Sequence, residues 1–528
     1  MRKEEEVIKI KKVAVVILAM ALLMLGTLAI PIMPVSSEGI LQFPVNDYTE
    51  QTLAVTTSAG QVNVTYRLYR HIAYVANPVD VDYESLDVGV PVTINGQDID
   101  ATNAPILLIV NNGGYRASSN IATGLGRIPG DTNGKYALAS GFVVVCPGLR
   151  GWNLVSNGTY YGKAPAAIVD LKAAVRYIRH NKGVMPGNTD WIIAAGISGG
   201  GALSALLGVS GNSHLYDAAL EQIGAANATD NIFASAPYCP ITDLDHADMA
   251  YEWEFGTNPL SGNLVNQSIS QQLKNAFSTY QASLNLQGKN GYGTITADNY
   301  GDYLVETYLI PSANEYLNAL TSENRVTYLS QHAWITWSNN SASFAFADYV
   351  AYIGRSKKLP AFDAFDLSAW ENSLFGNSTT NARHFANFSL QYDSGDPNAE
   401  IDGELQTIVN MMNPMYFIQQ NNSDCAQYWF IRTGTKDTDG AHTIFGNLAT
   451  ILENRGKDVN ASLYWDGGHG VNQDPEAFVA WVSQITNYPI VPEGLTIGVM
   501  MLLSSAAVII GTRYFRKRPK TENFQVKL

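Results

Sequence analysis

The sequence predicts an α/β fold, with helices on both faces of a mostly parallel β-sheet and one long insertion in the chain. Apolar runs alternate with amphipathic helical patterns, as in "GFVVVCPG" followed by "APAAIVDLKAAVRYIRHN". This alternation is typical of a parallel sheet whose strands are buried on both sides. It stops at Pro240 and returns after Asp424, which indicates that residues 240–424 are inserted between two core strands.

The individual elements follow from the same patterns. Residues 50–110 predict short strands, in the segments "QVNVTYRLYRHIAYV", "LDVGVPVTI" and "APILLIVNNGG". Further strands are predicted at "DWIIAAG", "NIFASAPYC", "AQYWFIRTG" and "NASLYW", and helices at "GALSALLG", "GAHTIFGNLATILENRG" and "PEAFVAWVSQIT". Open sheets of this kind bind ligands at the carboxyl ends of their strands, so we expect the insertion to form a lid over that edge.

The composition of the chain excludes several kinds of partner. The chain has 528 residues, a net charge of −14 and an isoelectric point near 5.0, whereas a nucleic-acid partner would require a basic face. Three cysteines are too few for a disulfide framework. The acidic block "DLDHADMAYEWE" lacks the ligand spacing of a calcium loop. We therefore expect no nucleic acid, no metal ion and no cofactor.

The two ends of the chain predict export and a membrane anchor. A charged segment precedes the apolar run "VAVVILAMALLMLGTLAI", so residues 1–38 are predicted to be a signal peptide or an uncleaved anchor. A second apolar run, "LTIGVMMLLSSAAVIIG", precedes five basic residues, which predicts a transmembrane segment or sorting tail at 490–512 and a cytoplasmic tail at 513–528. The expected extracellular part consists of a first core segment, the lid and a second core segment, at 39–239, 240–424 and 425–489.

A pentapeptide between a predicted strand and a predicted helix indicates a catalytic serine. The segment Gly196–Gly200 reads "GISGG" and fits the G-x-S-x-G pattern. In α/β-hydrolases this pattern forms a sharp turn that exposes a serine nucleophile. A glycine-rich turn without a catalytic role would not need a serine at its apex. We therefore predict the α/β-hydrolase fold, with Ser198 as the nucleophile.

A serine nucleophile requires a histidine base and an acid, which follow the serine in the order acid, then histidine, in α/β-hydrolases. Only His442 and His469 follow the insertion. His469 lies directly after a predicted strand, in "YWDGGHG", whereas His442 lies inside a predicted helix. We therefore predict His469 as the base and expect alanine at His442 to be nearly neutral. The segment "RTGTKDTDG" offers Asp437 and Asp439 as the acid, and Asp439 also suits a helix N-cap.

The oxyanion of a tetrahedral intermediate requires two backbone N–H donors. Gly199, directly after the nucleophile, is predicted to supply one of them. The loop "NNGGYR" after the strand "PILLIV" is an analogue of the HGGG-type loop and offers Gly113 and Gly114. Glycine allows the backbone to approach a substrate closely. The sequence leaves the choice between these two glycines open.

The chain resembles a known family, the bacterial (subtype B) tannases, which are tannin acyl hydrolases of the α/β-hydrolase fold. The segments that carry the resemblance are "YRLYRHIAYVANPVD", "GISGGGALSALLG", "SAPYCPITDLDHADMAYEWEFG", "RSKKLPAFDAFD" and "RTGTKDTD". The resemblance implies Ser198, Asp437 and His469 as the triad, in agreement with the order of these residues along the chain.

The resemblance also implies a pocket for a galloyl ring. Lys357, Glu371 and Asp439 would bind the ring hydroxyls, and Ile241 would pack against the ring face. Phenolic hydroxyls donate to carboxylates, and an ammonium group stabilises developing phenolate charge. The alternative interpretation of Lys357 and Glu371 is that they are solvated charges on the lid surface.

Two neighbours of these residues bear on the pocket. Lys358 is an adjacent alternative to Lys357, and Trp370 directly precedes Glu371, where its large side chain would reshape the pocket.

The function predicted from the sequence is that of an exported, membrane-anchored serine esterase. Its substrate would be a small aromatic ester, galloyl or a related hydroxyaromatic type, cleaved through an acyl-enzyme. A general carboxylesterase or a feruloyl-type esterase is the alternative. A serine peptidase of the prolyl-oligopeptidase type would require a repeat domain, and the sequence has no repeat. A non-catalytic binding protein would not need all three triad residues.

Overall fold

A computed structural model of the protein describes residues 41–119 and 131–490. The chain divides into two compact units, Met1–Gln42 and Phe43–Leu528. Only Leu41 and Gln42 of the first unit lie among the described residues, so the architecture is that of the second unit. The predicted N-terminal signal and the predicted C-terminal anchor and tail lie outside the described residues. Within 41–119 and 131–490, no helix is long and apolar enough to cross a membrane.

One ten-stranded sheet forms the centre of the fold. Its strands are β1 (Thr49–Thr57), β2 (Gly60–Ala73), β3 (Ser85–Ile94), β4 (Gln97–Asp98), β5 (Ile106–Val110), β6 (Val143–Pro147), β9 (Ile192–Ile197), β10 (Ala234–Tyr238), β15 (Tyr428–Gly434) and β16 (Asp458–Tyr464). Among the described residues, three small hairpins lie outside it, namely β7 (Val155–Ser156) with β8 (Thr159–Tyr160), β11 (Gln287–Gly288) with β12 (Gly293–Thr294), and β13 (Thr336–Ser338) with β14 (Ser341–Ser343).

The strands lie in the order β1-β2-β3-β6-β5-β9-β10-β15-β16, and β4 pairs with β3. From β6 to β16 every neighbouring pair is parallel, whereas β1, β2 and β3 pair antiparallel at one edge. The antiparallel edge follows from short connections, since a two-residue turn joins β1 to β2 and a parallel pair needs a long crossover. The prediction of a mostly parallel α/β sheet is confirmed.

The α-helices are α1 (Thr132–Ala139), α2 (Ala166–His180), α3 (Gly199–Val209), α4 (Asp217–Gln222), α5 (Leu244–Phe255), α6 (Gln267–Leu284), α7 (Tyr300–Leu304), α8 (Ile310–Ala319), α9 (Ser322–Gln331), α10 (Phe346–Ile353), α11 (Trp370–Leu374), α12 (Asn387–Ser394), α13 (Gly403–Met412), α14 (Pro414–Gln420), α15 (His442–Asn454) and α16 (Pro475–Thr486). A π-helical turn, Val305–Leu309, joins α7 to α8. Short 3₁₀ turns lie at Gly113–Tyr115, His214–Tyr216 and Lys289–Gly291.

The central strands are apolar at almost every position because both faces of the sheet are covered. All residues of β5, β6 and β10 are buried, and one of the two packed faces includes Leu107, Ile193 and Phe430. Burial on both faces explains why these strands are continuous apolar runs in the sequence.

The parallel part of the sheet gathers four connections at one edge. The segments after β5, β9, β15 and β16 all leave the carboxyl ends of parallel strands, where sheets of this kind bind ligands. The long insertion intervenes between β10 and β15, which are neighbours in the sheet. It contributes helices α5 to α14.

Candidate active site

The turn between β9 and α3 holds Ser198 in a strained conformation. Its φ and ψ are 61° and −122°, and its N–H donates to the carbonyl of Tyr238 at 2.9 Å. A Cβ added at Gly196 would lie 2.5 Å from the carbonyl oxygen of Val110, and one added at Gly200 would lie 2.2 Å from it. Only glycine at these two positions allows β9 and α3 to approach β5 so closely. The turn has the geometry of a nucleophile elbow.

Three side chains from three loops form one chain of hydrogen bonds. The hydroxyl of Ser198 lies 2.8 Å from Nε2 of His469, in the loop after β16. Nδ1 of His469 lies 3.0 Å from each carboxylate oxygen of Asp437, in the loop after β15. With Nδ1–H donating to the carboxylate, Nε2 is free to accept the serine proton. The arrangement has the connectivity of a Ser-His-Asp triad.

Asp437 is the buried member of this group, and its carboxylate has further donors. It accepts hydrogen bonds from the Thr433 hydroxyl at 3.1 Å and from the Asp439 N–H at 3.0 Å. Burial opposes ionisation, but the hydrogen bond and charge of His469 hold the pKa of Asp437 below its usual value. Burial lowers the pKa of His469, but the hydrogen bond and charge of Asp437 outweigh it and raise that pKa above its usual value.

The loop after β5 brings two glycine N–H groups toward the serine turn. A Cβ at Gly199 would lie 3.0 Å from the nitrogen of Gly114, so the loop packs directly on the first residue of α3. The N–H groups of Tyr115 and Arg116 donate to carbonyls inside the turn. Neither Gly113 nor Gly114 has such an acceptor for its N–H among the described residues. Both glycine N–H groups are therefore free of acceptors inside the turn, and both stay candidates for the oxyanion donor.

The three residues that the resemblance implies as ring-binding groups lie near one another and near the histidine. A carboxylate oxygen of Asp439 lies 3.7 Å from Nδ1 of His469. Desolvation raises the pKa of Glu371, the Lys357 ammonium opposes this shift, and the Asp439 carboxylate adds to it. Lys357 also acts on the pKa of His469. These mutual effects place all three charges within electrostatic range of the triad.

The structure separates the two adjacent lysines. Lys358 has a side chain that is 72% exposed and faces Asp366 at 3.9 Å. The ammonium of Lys357 lies 3.9 Å from the ring centre of Phe362, and no carboxylate of the described residues lies within 4.0 Å of it. Lys357 is therefore half-buried and acts electrostatically on Glu371 and His469, whereas Lys358 belongs to the surface.

Two large apolar side chains lie next to residues that adjoin these polar groups in sequence. Ile241 is half-buried, with its Cδ1 3.3 Å from the Cβ position of Gly440. The side chain of Trp370 is 53% exposed, and its ring lies 2.5 Å from where a Cβ of Gly114 would be. The indole thus packs on the loop after β5, and the Arg116 guanidinium lies 6.0 Å from its ring centre.

One sequence-based interpretation requires correction, and a second applies to activity only. Asp439 is not a helix N-cap, because Ala441 occupies that position of α15 and makes no side-chain cap. As expected, His442 does not contact Ser198. It is nevertheless buried, and its Nδ1 lies 2.7 Å from a carboxylate oxygen of Glu254. The expectation that alanine at His442 is nearly neutral concerns activity and stays a prediction. It does not extend to stability, since alanine would leave a buried carboxylate unpaired.

Sequence reasoning missed one residue that lies against the triad. Cys239 follows β10 with a φ of 45°, and its sulfur accepts from the Gly470 N–H at 3.4 Å. Burial and the charge of Asp437 raise the pKa of the Cys239 thiol to about 12, so the residue is an uncharged thiol at neutral pH. Its position at the carboxyl end of a core strand was the only signal in the sequence.

Comparisons with known proteins agree with this fold and site. Residues 97–283 match the BD-FAE family. A tannase structure from Fusobacterium nucleatum is 36% identical, covers 84% of this chain and 99% of its own, and superposes with a TM-score of 0.73. A tannin acyl hydrolase structure in complex with ethyl gallate is 33% identical, with coverages of 85% and 100% and a TM-score of 0.75. Esterase LipQ of Mycobacterium tuberculosis is 37% identical over 107 residues, which are 19% of this chain and 24% of LipQ.

Fold, sequence identity and coverage together define the class of protein: the chain is a carboxylic ester hydrolase with an α/β-hydrolase fold. Within that class it belongs to the family of the bacterial tannases.

Proposed function

We propose that the protein is a serine esterase that hydrolyses galloyl or related hydroxybenzoyl esters, with Ser198, His469 and Asp437 as its triad. The observation that supports this most directly is the combination of two features. An unbroken hydrogen-bond chain joins the three triad residues. Lys357 and Glu371 act electrostatically on each other beside it, and neither forms an ion pair within 4.0 Å in the described part of the chain. The first feature supports acyl transfer, and the second supports a substrate with polar groups on its acyl portion.

In the proposed reaction, the Ser198 oxygen attacks the ester carbonyl carbon while Nε2 of His469 takes the hydroxyl proton. The Asp437 carboxylate stabilises the resulting imidazolium and keeps its orientation. The N–H groups of Gly199 and of Gly113 or Gly114 stabilise the oxyanion. The imidazolium then protonates the leaving alcohol, which departs and leaves an acyl-serine. Water, activated by His469, hydrolyses that ester and regenerates the enzyme.

The acyl ring would be held by its hydroxyls and by its faces. Ring hydroxyls donate to the carboxylates of Glu371 and Asp439, and the Lys357 ammonium stabilises negative charge that develops on a phenolic oxygen. Ile241 and the exposed indole of Trp370 provide apolar surface for the ring. A similar structure that binds ethyl gallate supports this assignment. A site that hydrogen-bonds hydroxyls discriminates strongly against analogues without them.

The test is a panel of methyl gallate, methyl protocatechuate, methyl ferulate and p-nitrophenyl acetate. Ser198→Ala should lose activity on every ester by several orders of magnitude. Glu371→Gln keeps the shape of the side chain but weakens a charge-assisted hydrogen bond, at a cost of about 1–3 kcal/mol in kcat/KM on methyl gallate. Lys357→Met should show the same selective loss.

The matched control is Lys358→Met, which should resemble the wild type on all four esters because this lysine is a surface residue. p-Nitrophenyl acetate has no ring hydroxyl on its acyl portion and should be little affected by Glu371→Gln or Lys357→Met. Equal slowing of all esters in these two variants would reduce the proposal to a general carboxylesterase.

The proposal includes export and anchoring at the cell surface through the C-terminal segment. It is supported by the apolar run near residue 500 and the basic residues that follow it.

A further inference from the structure

Helix α5 contains the acidic block of the sequence, and two of its carboxylates are completely buried. The side chains of Glu252 and Glu254 each have 0% exposure, and each faces one buried cation from elsewhere in the chain. Buried ion pairs contribute little net stability, because desolvation offsets their attraction. Two such pairs on one helix beside an active site therefore require an account other than stability.

Glu254 acts on the loop that carries the catalytic acid. Its two oxygens accept from the backbone N–H and from Nδ1 of His442, each at 2.7 Å. Nε2 of His442 lies 3.1 Å from the carbonyl oxygen of Gly434. A carbonyl oxygen can only accept, so Nε2–H donates to it while Nδ1–H donates to the Glu254 carboxylate, and the ring carries both protons. The Tyr349 hydroxyl donates to the next carbonyl, that of Thr435, at 2.6 Å.

This group fixes the start of the acid loop. Gly434 ends β15, and its carbonyl also accepts from the N–H of Asp437 at 3.2 Å. The imidazolium of His442 thus holds the same carbonyl around which the chain turns to present the acid to His469.

Glu252 acts on the loop that carries the ring-binding lysine. Its carboxylate pairs with both terminal nitrogens of Arg355, at 2.6 and 3.0 Å, and accepts from the Ser270 hydroxyl at 2.6 Å. Nε of Arg355 donates to the carbonyl of Lys357 at 2.8 Å, and Nη2 donates to the carbonyl of Lys358 at 2.8 Å. The two backbone carbonyls that follow the Lys357 side chain are therefore tied to α5 through Arg355.

Tyr251 of the same helix joins the two loops. Its hydroxyl accepts from the N–H groups of Ser356 and Lys357, at 3.2 and 3.1 Å, and donates to the carbonyl of Thr438 at 3.0 Å. Thr438 follows Asp437 directly. One helix of the insertion thus contacts both the lysine loop and the acid loop.

We propose that Glu254 and Glu252 are positioning residues with separate targets: Glu254 orients the catalytic acid through His442, and Glu252 orients Lys357 through Arg355. The Glu252 half rests on the proposed function, because it assigns Lys357 to the acyl ring. The Glu254 half requires only that Asp437 belongs to the triad, and it is measurable on any ester.

The two halves of the proposal predict different kinetic effects. A displaced acid misaligns His469 for every substrate, which lowers kcat, and small displacements of catalytic groups cost up to about 100-fold. A displaced Lys357 weakens contacts to ring hydroxyls only, so the loss falls on esters that have them.

The experiment compares Glu254→Gln and Glu252→Gln in the full chain, with methyl gallate and p-nitrophenyl acetate. Glutamine keeps an acceptor oxygen but removes the charge that keeps the partner cation in place. For Glu254→Gln we expect kcat to fall about 10- to 100-fold on both esters, with KM changed less than about threefold. For Glu252→Gln we expect kcat/KM to fall about tenfold on methyl gallate and by less than about twofold on p-nitrophenyl acetate.

The matched control is Asp230→Asn. The buried Asp230 pairs with Lys172 and Arg176, at 2.8 Å each, and this group contacts neither loop. It should lower the midpoint of thermal unfolding while leaving kcat and substrate preference unchanged. If Glu254→Gln and Glu252→Gln behave like this control, their roles are structural only and the proposal is overturned.

Milder variants keep the test decisive if a glutamine variant fails to fold. Tyr349→Phe removes one hydroxyl from the acid loop, and we expect it to lower kcat on both esters, about threefold or more. Tyr251→Phe removes a hydroxyl from both loops and should therefore show both effects together. Unchanged kinetics in both folded phenylalanine variants would overturn the proposal.

Failure of the proposed substrate class would look different. In that case the wild type would show no preference for hydroxylated esters and Glu252→Gln would have no selective effect, while Glu254→Gln would still lower kcat.

Discussion

At the scale of single residues, the site depends on backbone conformations that few side chains tolerate. Ser198 has a positive φ although it is not glycine. Gly196 and Gly200 have no room for a side chain, because the carbonyl oxygen of Val110, at the end of β5, approaches both of them closely. Strain of this kind persists only where the surrounding structure determines it, and it exposes the serine hydroxyl to both substrate and base.

The pH dependence of kcat/KM follows from the pair Asp437 and His469. His469 must be neutral to accept the serine proton, and its pKa is raised, so activity should fall as the pH drops through a value above about 6.5. Asp437→Asn removes the main group that raises this pKa. We therefore expect the acid limb of the profile to move to lower pH, together with a loss of kcat of about 10⁴-fold from the wrong tautomer. An acid limb that stays in place in Asp437→Asn would contradict the assignment.

Gly114 provides a test of the oxyanion loop. Its φ is 58°, and an added Cβ would lie 2.5 Å from the Trp370 ring, so Gly114→Ala must displace the indole or the loop. We expect kcat to fall about 100- to 1,000-fold on all esters, the range for loss of an oxyanion donor. Gly158→Ala is the matched control, since Gly158 has a φ of 78° with nothing within 4 Å of the Cβ position. Equal kinetics in the two variants would exclude Gly114 from the site.

At the scale of elements, the site is assembled from the ends of four strands and one helix of the insertion. The strand ends carry Ser198, Asp437, His469 and the glycine loop, while Tyr251 of α5 contacts the loops that carry Asp437 and Lys357. A strand end is a precise support because its backbone is fixed by pairing on both sides.

The helix α15 makes a stability prediction. His442 begins this helix and is the only cation paired with the buried Glu254 among the described residues. His442→Ala should lower the free energy of unfolding by about 3–5 kcal/mol, because it leaves that charge unpaired. Urea denaturation at pH 7 measures the effect. His214→Ala is the control: its side chain is 95% exposed, so its pair with Asp217 should contribute less than about 1 kcal/mol. A near-neutral His442→Ala would show that Glu254 is satisfied by other groups.

At the scale of the whole molecule, the core extends close to the predicted anchor. Ile490 is 4% exposed, and Tyr488 packs edge-on against Phe142 with ring centres 5.9 Å apart. A truncation must therefore retain both residues if the hydrolase core is to keep its packing.

Localisation provides the corresponding prediction. A chain of residues 39–492 should be soluble and as active as the full chain, whereas the full chain should fractionate with membranes. Cell fractionation followed by an esterase assay of each fraction checks both statements. An insoluble, inactive 39–492 chain would mean that the C-terminal segment belongs to the core.

The sequence by itself determined the fold class and predicted the nucleophile and the base of the candidate site. Continuous apolar strands such as β5 and β10 and the G-x-S-x-G turn are local patterns, and each is visible within a few residues. The order of serine, acid and histidine along the chain also requires no coordinates. Ser198 and His469 could therefore be predicted as partners before their 2.8 Å contact was seen.

Only the tertiary structure decided which charges work together. It distinguished Lys357 from Lys358 and showed that Asp439 is not a helix N-cap. It also showed that His442, which the sequence assigns to a helix, is paired with Glu254, a residue 188 positions earlier in the chain. Such pairs depend on contacts between distant segments, and no local pattern encodes them. Their effect on pKa and position depends on burial and distance, which exist only once the chain has folded.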